Sequence, residues 1–169
     1  MVLSNPHLKS KRYKVRPPRH LGRGRALDST GATRLVGWAA GQVQVDGINV
    51  FALAAQPNVL DLSFDALDRP VICWRTAGGT GFVRFFDPVP GAYVSLDCGA
   101  MKWPAICNDY RLLGVDIVLV YLINNAPHYR LHTEKFATAR QLTADKMEIL
   151  RYFGEGIDTN SLNAVGLRK

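Results

Sequence analysis

His128 and His132 stand four residues apart, a spacing that on a helix would place two metal ligands on one face. The stretch around them, "APHYRLHTEKF", alternates apolar and polar residues as a strand does. In a strand that spacing separates the two rings by roughly 13 Å, too far for one ion, so they read as part of a solvated or interfacial face shared with Arg130. Asp61, Asp65 and Asp68 in "DLSFDALDRPVICWR" raise calcium binding or paired catalytic carboxylates. A calcium loop needs a Gly at its sharp turn and a closing Glu, and neither is present. Turn-forming Asp residues are the better reading, with Asp65 and Asp68 capping a loop while Val71 and Cys73, or Ile72 and Trp74, fill a core.

Other chemistries lack their parts. "AGGTG" has no following Lys-Ser/Thr and leads into a strand, so it is not a phosphate loop. No G-x-S-x-G element occurs, and Ser63 and Ser95 lie in strand patterns without an evident base. Cys73, Cys98 and Cys107 are odd in number and form no C-x-x-C pair, so buried thiols are expected. The sequence therefore predicts no catalytic residue, no metal site and no cofactor, and a protein that is not an enzyme.

The charge is unevenly placed. Of 21 basic residues, eight (Lys9, Lys11, Arg12, Lys14, Arg16, Arg19, Arg23 and Arg25) fall in the first 27 residues, which hold no acid. The other 142 residues carry 13 bases and 14 acids. This pattern describes a nearly neutral globule with a basic arm, the arm held extended by Pro17-Pro18 and too poor in apolar residues to make a core. Such an arm can neutralise phosphates, giving salt-sensitive binding to nucleic acid, or dock on an acidic neighbouring subunit; its enforced extension favours docking. No apolar run approaches a membrane span and no signal-peptide core follows the first basic residues, so a soluble protein is expected.

The elements that position these residues read as strands. Asp46-Gly47 between two alternating runs predicts a hairpin across 35–54. Strands at about 61–65 and 70–75 join through "ALDR", and "TAGGTG" and "DPVPG" connect three antiparallel strands in a meander. "CGAMKWPAICNDYRLLG" reads as irregular. "VDIVLVYLI" is a buried strand turned by "NN" into the alternating stretch with the two histidines. "TADKMEILRYF" fits a helix or a strand, and its place after a run of strands favours strand. The expected architecture is mostly β, an antiparallel meander, blade-like or sandwich domain over 34–153, between an extended arm (1–33) and a C-terminal extension (154–169). Trp74, Phe85, Tyr93, Tyr121 and Tyr129 are its expected structural core.

A faint repeat runs through it. Trp74 and Tyr121 are 47 residues apart, and Arg84 and Arg130 are 46 apart, each pair set in a strand, turn, strand context. That period suits one four-stranded propeller blade of about 40–50 residues. A closed propeller needs about 4–8 blades, so the edges of two or three would have to be closed by other chains.

Three segments, "LSFDALDRPVICWR", "VRFFDPVPGAYVSLDCG" and "DIVLVYLINNAPHYRLHTEKF", resemble a pattern in β-rich virion proteins of tailed bacteriophages. Phe64, Asp65, Arg69, Pro70 and Trp74 match its first element; Asp87, Pro88, Gly91, Ala92, Tyr93 and Val94 its second; Asp116, Tyr121, Leu122, Tyr129, Arg130 and Leu131 its third. Cys73 before the tryptophan and "NNAPH" in place of a Gly-containing turn depart from it. The resemblance covers about residues 61–136 and implies a non-enzymatic tail or neck subunit, assembled in the host cytoplasm and resident in the virion, whose partners are other virion proteins and copies of itself. A nucleic-acid-binding protein acting through the arm is the alternative. A carbohydrate-binding module is a third reading, and it requires Trp38, Trp74 and Trp103 to be exposed.

Overall fold

A computed structural model describes residues 24–107 and 117–142. Within them the chain is mostly β: twelve strands, one 3-10 turn and no α-helix. The first sheet takes β1 (Arg25–Leu27), β2 (Thr33–Ala39), β3 (Gln42–Val45) and β4 (Ile48–Ala52). The second takes β5 (Val59–Phe64), β6 (Pro70–Arg75), β7 (Thr80–Asp87) and β8 (Ala92–Ala100). The third takes β9 (Lys102–Cys107), β10 (Val118–Ile123), β11 (Ala126–Leu131) and β12 (Arg140–Gln141). Every sheet is a four-stranded antiparallel meander in chain order.

Local chemistry explains the reversals. Ala40-Gly41, Asp46-Gly47 and Asn124-Asn125 all have positive φ at both positions, the conformation whose twist matches a two-residue hairpin. Asp46 and the two asparagines tolerate it because their short polar side chains suit the left-handed region. The β5–β6 loop is built on Asp65: Oδ1 accepts the N–H groups of Leu67 and Arg69 at 2.9 and 3.0 Å, and Oδ2 accepts Arg69 Nε at 2.6 Å.

The inner strands of the middle sheet, β5 and β6, are buried on both faces. Val71, Cys73, Val83, Phe85 and Cys98 face the third sheet and pack with Ile106, Ile117, Leu119, Tyr121 and Phe136. Leu62, Phe64, Ile72 and Trp74 face the first sheet and pack with Ala26 and Val43. Both candidate pairs on β6 therefore fill a core, one on each side, which is why "PVICWR" shows no clean alternation. The first strands of successive sheets lie side by side, β1 against β5 and β5 against β9, an arrangement that resembles blades meeting along an axis. Trp74 and Tyr121 fall on the second strands of their sheets and Arg84 and Arg130 on the third, so the repeated residues occupy corresponding strands.

Four expectations need correction. The first sheet begins at Arg25, so residues 25–33, expected in the arm, belong to the globule. The stretch from Cys98, expected to be irregular, completes β8 and forms β9; Pro104 is tolerated because β9 is an edge strand. His132 opens the 3-10 turn His132–Glu134 instead of continuing a strand. Asp61 lies within β5 and not in a turn. The expectations for residues 1–23, 108–116 and 143–169 lie outside the described residues.

Candidate functional site

Asp61 is fully buried where the three sheets meet. Its Oδ1 accepts the Gly24 N–H at 2.7 Å, just before β1, and its Oδ2 accepts the Ile106 N–H at 2.9 Å, on β9. One carboxylate on β5 thus satisfies backbone donors from both neighbouring units. Gly24 precedes β1 and Ile106 lies on β9, strands that have a ladder partner on one side only, and charge-assisted bonds of this kind are among the stronger ones. The group ties β5 to the segments on either side of it.

A second set of polar contacts joins the sheets at their hairpin ends. The Ser29 N–H donates to Asp68 Oδ1 at 2.8 Å, and its hydroxyl donates to Oδ2, linking the first sheet to the second. Lys135 Nζ meets Asp87 at 2.8 Å, linking the third to the second. Arg34 bridges Asp28 and Asp46, and Arg140 grips Glu134 through both guanidinium nitrogens at 2.5 and 2.6 Å. Asp28 is held below its usual range chiefly by the Thr30 hydroxyl, Asp46 by the Leu35 N–H, Asp87 by Lys135 and Glu134 by Arg140. These pairs brace the ends of the sheets, each partly buried carboxylate being held by a more exposed cation at Asp28 and Asp87.

Among the expected core aromatics, Trp74, Phe85, Tyr121 and Tyr129 are buried, while Tyr93 is half-buried. Trp74 stacks on Phe82 at 5.3 Å and Tyr121 on His128 at 6.0 Å, cross-strand pairs at corresponding places in the second and third sheets. His132 packs between Phe85 and Phe136, so the two histidines belong to different aromatic settings. Among the described residues no group of three His, Cys, Asp or Glu side chains is placed to hold a metal ion. Cys73 and Cys98 are buried free thiols, and burial pushes Cys98 up to about 11, leaving little thiolate at neutral pH. Trp74 is 5% exposed and Trp38 half-buried, whereas Trp103 is 47% exposed; the three do not share an open platform for sugar stacking.

Seven of the arm's eight basic residues, Lys9, Lys11, Arg12, Lys14, Arg16, Arg19 and Arg23, precede the described residues. Arg25 is exposed at the start of β1. The outer edges are better defined. β8 is nine residues long, lies at the end of its sheet and contains no Lys, Arg or Pro. Its only charged residue, Asp97, turns back on the Gly99 N–H at 2.7 Å beside a bulge opposite Gly81/Phe82. Among the described residues, Ala92 to Leu96 therefore carry no charge, proline or bulge that guards against strand addition. Which strand carries the longest edge is not legible in the sequence, because strand order is a tertiary fact.

No helix among the described residues is long and apolar enough to cross a membrane. Comparison with known protein families, with curated proteins and with solved structures finds no match.

Proposed function

We propose that this chain is a non-enzymatic structural subunit of a bacteriophage virion, a tail or neck component that joins copies of itself and other virion proteins through its basic arm and its strand edges. The observation that carries the assembly half of this reading is the unguarded edge of β8. Edges of that length on a monomer invite pairing with another chain, and strand addition is a recurrent way of joining subunits. The bacteriophage half rests on the resemblance over residues 61–136. Its first element coincides with the Asp65 loop and β6, its second with the β7–β8 turn, and its third with the β10–β11 hairpin.

The contacts support a scaffold in preference to a catalyst. The buried carboxylate ties sheets, the paired charges brace hairpin ends, and the buried thiols fill the core. The arm's interleaved bases also suit nucleic acid, which is the competing reading. An antiserum raised against the purified chain tests the proposal on purified particles of the phage that encodes it. The protein is expected in stoichiometric amounts in intact virions, with label at the tail or neck. Its restriction to the infected-cell lysate, with none in the particle, would overturn the reading.

A further inference from the structure

Arg84 and Arg130 occupy corresponding strands, β7 and β11, yet their guanidinium groups are treated differently. Arg130 makes four hydrogen bonds: Nε donates to Tyr121 Oη at 2.9 Å, Nη1 to the carbonyls of Phe136 and Ala137 at 2.8 and 2.9 Å, and Nη2 to the Cys98 carbonyl at 3.2 Å. Arg84 has one acceptor, Ser95 Oγ, 3.0 Å from Nη1. Its Nε is buried without any acceptor, and it makes no ion pair among the described residues. A buried N–H without a partner is uncommon in folded proteins, and a partly buried cation without a counter-charge is more so.

The surroundings shape a site. Arg84 lies over the ring of Phe51 at 5.0 Å and near that of Tyr93 at 5.5 Å, so the guanidinium sits in the seam between β4 of the first sheet and β7–β8 of the second. Phe51, Phe82, Arg84 and Tyr93 are all partly exposed, leaving the seam open to solvent. Trp74, diagonal to Arg84 on the same face of the second sheet, also packs on Phe51, at 5.1 Å. Its Nε1–H is the other buried donor with no acceptor. Both side chains that carry an unpartnered donor therefore pack on one phenyl ring, and one of them is cationic.

We infer that this seam is a carboxylate-binding site, with Arg84 as the charge partner and Trp74 beside it. A guanidinium offers a planar fork that matches two carboxylate oxygens, and the flanking rings exclude water from one side of the pair. Desolvation already disfavours the charged form of Arg84, a penalty that an incoming anion relieves. The carboxylate comes either from an Asp or Glu side chain of a neighbouring subunit or from a free small acid. Ser95 lies on the unguarded edge strand, so a strand added there would run past Arg84.

The test uses the full chain with 15N-labelled tryptophan, the Trp74 indole resonance being assigned with Trp74→Phe. Acetate is titrated at constant ionic strength against chloride, and in a second arm a blocked extended tripeptide with a central Glu is titrated. A saturable shift of the Trp74 indole resonance with carboxylate and not with chloride, lost in Arg84→Gln, is expected. A response to acetate assigns the site to free acids as well; a response to the peptide alone assigns it to a protein neighbour. Ser95→Asp places a carboxylate next to Arg84 within the chain and is expected to remove the response while the protein stays folded. No saturable shift in either arm, or a Ser95→Asp protein that responds as the parent does, would overturn the inference.

Discussion

Asp61→Asn changes one buried oxygen into an amide and leaves the shape of the side chain intact. The carboxylate accepts two backbone N–H groups, from Gly24 and Ile106, with one oxygen each. An asparagine offers one acceptor and one donor group, so one of the two N–H groups is left facing a donor. A buried donor without its partner costs about 1–3 kcal/mol, and Asp61→Ala, which orphans both, should cost about 2–6 kcal/mol on the same basis. Against this, the neutral amide avoids the cost of burying a charge, which pulls the asparagine value toward the lower end of its range. Equilibrium unfolding in urea, followed by the fluorescence of buried Trp74, measures the difference from midpoints and slopes. An Asn variant within about 0.5 kcal/mol of the parent, inside the scatter of ordinary surface changes, would refute the claim that this carboxylate ties the three sheets together.

Gly81→Ala should destabilise by about 1–3 kcal/mol, since its Cβ would come within 2.0 Å of the Met101 sulfur in a filled core; thermal unfolding reads this. Arg130→Met, which removes four hydrogen bonds, should cost about 2–4 kcal/mol, again by urea unfolding. Asp28, Asp46, Asp87 and Glu134 have folded-state pKa values below their ordinary ones. Their contribution to stability is therefore full above about pH 5 and is lost as the pH falls through about 4 and below. Denaturation midpoints across that range should be flat at neutral pH and drop in acid, and a midpoint that rises on acidification would contradict the pairing described.

Much of the fold is legible in local chemistry. Asp46-Gly47 and Asn124-Asn125 dictate hairpins by their tolerance of positive φ, and Asp65 with Arg69 dictates the β5–β6 loop. What escapes a local reading is set from far along the chain. β1 has three residues, too few to show a period, and exists through its pairing with β2 and its packing on β5. β9 hides behind Trp103-Pro104, a signal that argues against a strand unless the strand lies at an edge. Asp61 looks like its turn-forming neighbours in sequence, yet its partners are 37 and 45 residues away. Arg84 and Arg130 repeat in the sequence with equal prominence, and only the acceptors brought up by the fold distinguish the well-bonded cation from the one with a single acceptor.

The proposed role requires this chain to assemble with its own kind through its arm and edges. Light scattering of the purified chain, at low and high salt, with and without residues 1–23, tests it most directly. A closed oligomer of the full chain that falls to smaller species when the arm is removed is expected. A full chain that stays monomeric under every condition, and whose arm instead confers tight salt-sensitive binding to DNA, would contradict it.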